Sequence, residues 1–144
     1  MVLLALVAPS FAQSDDEEVV LPDHVMRQVV SRMVTWYFKP RAKPTKIYFS
    51  DANLKKEWLP EIRGITFVLL PDLEYHSGRR GYMIDQVGRE GRGYSIGFGH
   101  GKIGCPGGGH GETWYFRVTN SRVRISRARG NFGWGCDSSA DSSV

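Results

Sequence analysis

Along residues 23–37 the apolar side chains Met26, Val29, Val30, Met33, Val34 and Tyr37 recur at steps of three and four, with Arg27, Gln28, Ser31, Arg32 and Thr35 between them. That period gathers the apolar set on one side and predicts an amphipathic helix from Asp23 to Tyr37. Pro22 and Asp23 suit its start, and Pro40 closes the region after it. The pattern then changes. "TKIYF" at 45–49 reads as a strand, and "SDANLKKEWLP" as a short helix capped by Ser50 or Asp51 and stopped by Pro60. The near-continuous apolar run Ile65 to Leu70 predicts a central, buried strand.

From residue 81 onward alternation takes over. "GYMIDQV" and "GYSIGFG" flank "GREGR", the form of a hairpin with a glycine-bearing loop. "TWYFRVT" and "RVRISRA" are joined by Asn120 and Ser121, which suit a two-residue turn. With that turn Thr119 faces Arg122, Val118 faces Val123, Arg117 faces Arg124 and Phe116 faces Ile125. One face of the hairpin is then apolar, and the other carries Tyr115, Arg117, Arg122 and Arg124. The expected architecture is α+β: an N-terminal amphipathic helix packed on a curved, mostly antiparallel sheet of about five or six strands. This order of elements is similar to small cystatin-like or NTF2-like cones, an analogy of fold that carries no function.

The first residues and the cysteines bear on setting. "MVLLALVAPSFAQS" runs apolar from Val2 to Ala8 and presents Ser10 and Ala12 one residue apart, the form of a secretory signal cut after Ala12. The division expected is a signal at 1–12, an acidic linker at 13–22, one α+β domain at 23–136 and a flexible polar tail at 137–144. No stretch approaches the roughly 20 apolar residues of a membrane-spanning helix. Export to a secreted or periplasmic setting favours a disulfide between Cys105 and Cys136, the two cysteines of the chain. Closing that loop stabilises by roughly 3–4 kcal/mol in the chain-entropy picture.

Charge is unevenly spread. All nineteen Lys and Arg lie between Arg27 and Arg129, where only eight acids occur, so this segment is formally +11 while the whole chain is +4. A basic exported domain suits anionic glycan, lipid headgroups or an acidic protein. Guanidinium forks carboxylate and phosphate, and tyrosine stacks on sugars, so Tyr115, Arg117, Arg122 and Arg124 are the expected ligand face. Arg placed opposite Arg costs stability unless an acid such as Asp85 or Glu90, or a bound anion, compensates. No nucleic-acid motif occurs, and nucleic acid is not an expected partner.

Candidate chemistry gathers in "GFGHGKIGCPGGGHGETWYF", residues 97–116. Gly99, Gly101 and Gly104 fit G-x-G-x-x-G, but Cys105, Pro106 and more glycines follow where a phosphate site needs a helix to begin. His100, His110 and Glu112 are the candidate metal ligands of this glycine-rich loop, a set able to hold zinc, copper or iron with positions left open. No nucleophile elbow is present. The first expectation is a small binding module without cofactor. The alternatives are a metal-dependent enzyme built on the two histidines and Glu112, and a structural or assembly protein of the cell envelope.

Overall fold

The computed structural model describes the backbone of residues 19–71, 80–102 and 109–134, and the side chains of these residues except 102 and 127–134. The expected signal at 1–12, residues 13–18 of the acidic linker and the polar tail at 137–144 lie outside the described residues, as do Cys105 and Cys136. The protein is α+β, with one α-helix and a curled mixed sheet among the described residues. Helix α1 spans Asp23–Tyr37, as the apolar period predicts, and buries Val25, Met26, Val29, Val30, Met33 and Val34. Among the described residues no helix is long and apolar enough to cross a membrane.

The strands are β1 (Thr45–Ser50), β2 (Ile65–Leu70), β3 (Arg80–Ile84), β4 (Gly88–Glu90), β5 (Gly93–Lys102), β6 (Gly109–Thr119) and β7 (Arg122–Trp134). Their order across the sheet is β2-β1-β3-β5-β6-β7, with β4 paired to β5. Strand β1 is parallel to both β2 and β3, and the other pairs are antiparallel.

Three expectations are corrected. Among the described residues the apolar run of β2 is an edge strand, not a central one; Ile65, Phe67 and Leu69 pack toward the core and remain only half-buried. In place of a helix at 50–60 there is a single 3₁₀ turn, Lys56–Trp58, because Ser50 completes β1 and Asn53 adopts a left-handed φ of 59°. A residue so turned interrupts helical φ/ψ before a second turn can form. Part of the "GREGR" loop is strand β4, which folds back on β5 through Gly91 (φ +55°) and Arg92.

The core lies between α1 and the inner face of the sheet. Phe49 is wholly buried, and its ring meets those of Phe38, Phe67, Tyr82 and Phe98 at 5.6–6.1 Å between centroids. Burying one such ring stabilises by roughly 1.5–3 kcal/mol. Polar contacts fix the helix to the last hairpin. Gln28 donates to the Ser121 carbonyl at 2.8 Å and accepts from the Val123 amide at 3.3 Å, and Arg32 donates to the Val123 carbonyl. Thus the first element of the fold seats on the last strand.

Candidate functional site

The β6–β7 hairpin turns at Asn120 and Ser121, whose φ values of 50° and 63° are those of a two-residue turn that follows the twist of the strands. Register follows: Arg117 pairs with Arg124, Thr119 with Arg122, and Tyr115 with Ser126. Phe116 and Val123 are buried toward α1, while Tyr115, Arg117, Arg122, Arg124 and Ser126 are exposed on the outer face. The structure therefore brings together the four residues expected from the sequence. Beyond Ser126 the register slips, with Trp114 opposite Arg127 but Glu112 opposite Asn131.

Neighbouring strands shape this face into a groove of about 500 Å³, lined by Glu90, Tyr115, Arg117, Arg124 and Ser126 among others. Its floor depends on Gly93, which pairs with Glu90. A Cβ at Gly93 would sit 2.5 Å from the Phe116 carbonyl oxygen and 3.0 Å from Cγ of Arg117, so the Arg117 stem lies across the bare backbone there. Among the described residues Arg117, Arg122 and Arg124 make no ion pair, although Glu90 lines the same groove. Asp85 is not their partner either; its carboxylate accepts from the Gln86 amide at 2.8 Å. Two guanidinium groups on directly opposed residues, uncompensated by an acid, can fork one carboxylate, sulfate or phosphate between them.

On the inner face, beyond the end of α1, lie the other candidates. His100 and His110 are strand residues, not loop residues, and they pair directly across β5 and β6; Glu112 pairs with Phe98 one row closer to the core. The Tyr37 hydroxyl donates to Oε2 of Glu112 and accepts from Nε1 of Trp114 at 3.1 Å. The Tyr37 ring stacks on Phe98 at 4.2 Å, which aims the hydroxyl at this carboxylate. Successive side chains on one face of a strand are about 6.6 Å apart. Glu112 is thus held toward the helix, and among the described residues no three His, Cys, Asp or Glu groups are placed to hold a metal ion. In the sequence Tyr37 reads as part of an apolar stripe; its polar tip at the end of that stripe is the signal that points to Glu112 and Trp114.

A second crevice, of about 380 Å³, opens where β1 and β3 end, near Asp23, Asp51, Lys55 and Asp85. Lys55 bonds Asp23 at 3.1 Å and holds that carboxyl below the usual carboxylate range. This acidic end is the electrostatic opposite of the arginine face. No family model, curated protein or solved structure matches the chain.

Proposed function

We propose that the protein is an exported binding module, secreted or periplasmic, whose outer β6–β7 face holds anionic ligands through Arg117 and Arg124, with Arg122 and Tyr115 beside them. The observation that carries this reading is the direct pairing of Arg117 with Arg124 in the absence of an ion-pair partner among the described residues. A folded chain tolerates such a juxtaposition more readily when an external anion completes it. The groove adds an exposed tyrosine for stacking, with Glu90 and Ser126 as acceptors for hydroxyl groups of a sugar or headgroup. The shared chemistry of the ligand is a carboxylate, sulfate or phosphate on a polar body. Elution from immobilised heparin is the test. Wild type should need more salt than Arg117→Glu/Arg124→Glu, and equal elution of the two proteins removes the face from consideration.

A further inference from the structure

His100 and His110 have a relation that neither the arginine face nor the core requires. As directly opposed residues of antiparallel strands they leave the same face of the sheet, with Cβ atoms about 5 Å apart. Neither imidazole hydrogen-bonds or ion-pairs with a described residue. The His100 ring lies 4.9 Å from that of Tyr82, at an interplanar angle of 38°, which restricts its rotation; His110 is exposed. Glu112, the next residue on that face of β6, is already engaged by Tyr37. On the other side, Arg80 is exposed at the start of β3, two residues before Tyr82.

These surroundings decide what the pair can take. A hard cation such as calcium needs several oxygen ligands, and no such set is arranged here among the described residues. Imidazole instead suits copper, nickel and zinc. Two imidazoles side by side supply two adjacent coordination positions and leave the others to water or to a further donor. With Glu112 engaged by Tyr37 and no further acid grouped with the two histidines among the described residues, the metal–nitrogen bonds, rather than a field of negative charge, must carry the affinity. We propose that His100 and His110 form a two-imidazole site for a divalent transition metal, with copper(II) the tightest by the general order of affinities. The site lies on the inner side of β6, across the sheet from the arginine groove, and is independent of it.

The test uses copper(II) chloride on the full chain, followed by calorimetry and by electron paramagnetic resonance. Wild type should bind one equivalent above the background of the double variant His100→Ala/His110→Ala, with hyperfine structure from two nitrogens. Each single variant, His100→Asn or His110→Ala, should weaken binding by at least about tenfold, an effect that even outer-sphere partners of metal ligands commonly reach. Binding should also fall as pH drops, because the ligating imidazoles must be neutral. Circular dichroism establishes that each variant is folded. Uptake no greater than that of the double variant, or dependence on only one of the two histidines, overturns the proposal.

Discussion

Replacing Arg124 by Thr should make the free protein more stable while weakening its grip on anions. Arg124 is exposed and faces Arg117 directly, without a carboxylate partner among the described residues. Like charges directly opposite in an antiparallel pair cost roughly 0.2–1 kcal/mol, and threonine suits a strand position. The expected gain is therefore of that size, or about 1–4 °C in Tm for a chain of this length. Because the gain is electrostatic it should shrink in 1 M salt, where the screening length falls to about 3 Å. Arg122→Thr is the control: Arg122 faces Thr119, so no directly opposed like charge is relieved and Tm should rise less than for Arg124→Thr. Thermal unfolding at low and high salt measures both variants. Adding heparin should raise Tm of the wild type more than that of Arg124→Thr, since a ligand of the folded state stabilises by mass action. A fall in Tm for Arg124→Thr that persists in high salt would refute the reasoning, because Arg124 would then hold the fold through packing.

Three further outcomes are expected. Tyr37→Phe removes the hydroxyl shared by Glu112 and Trp114 and should cost roughly 1–3 kcal/mol in urea unfolding; a loss under about 0.3 kcal/mol would mean the bonds are not felt. Gly64→Ala should be severe, since φ there is +79° and a Cβ would fall 2.0 Å from the Arg41 carbonyl oxygen. The backbone conformation alone costs a non-glycine residue roughly 1–3 kcal/mol, and retention of wild-type Tm would contradict the local geometry. Strand β7 ends at Trp134 opposite Gly109, so the two chain exits leading to Cys136 and back to Cys105 lie side by side. Intact mass measured before and after reduction should then differ by the two hydrogens of a disulfide, and Ellman titration of the oxidised protein should find no thiol.

Where a signal was local, the sequence carried it. The Met and Val stripe gave α1 its bounds, and the Asn120–Ser121 turn gave the last hairpin its register and the arginines their shared face. Long-range pairing was hidden. An apolar hexamer reads the same at the edge of a sheet as at its centre, and β2 takes the edge because a parallel crossover lays it beside β1 alone. Glycine is a poor strand former, so His100 and His110 look loop-borne until β3 and β7 are seen to flank their strands. Tyr37 and Glu112 are 75 residues apart, a distance that no spacing rule spans.

The seating of α1 on the final hairpin also sets an order of events during synthesis. Gln28 and Arg32 find their partners 91–95 residues later in the chain, so the cover of α1 is not complete until β7 exists. At ordinary translation rates that interval is on the order of 5–20 s. Until then the stripe of Met26, Val29, Val30, Met33 and Val34 has only the part of its cover that the earlier strands and the 3₁₀ turn supply. A ribosome stalled before residue 123 would hold a chaperone substrate, and the fold closes only when its last strand emerges.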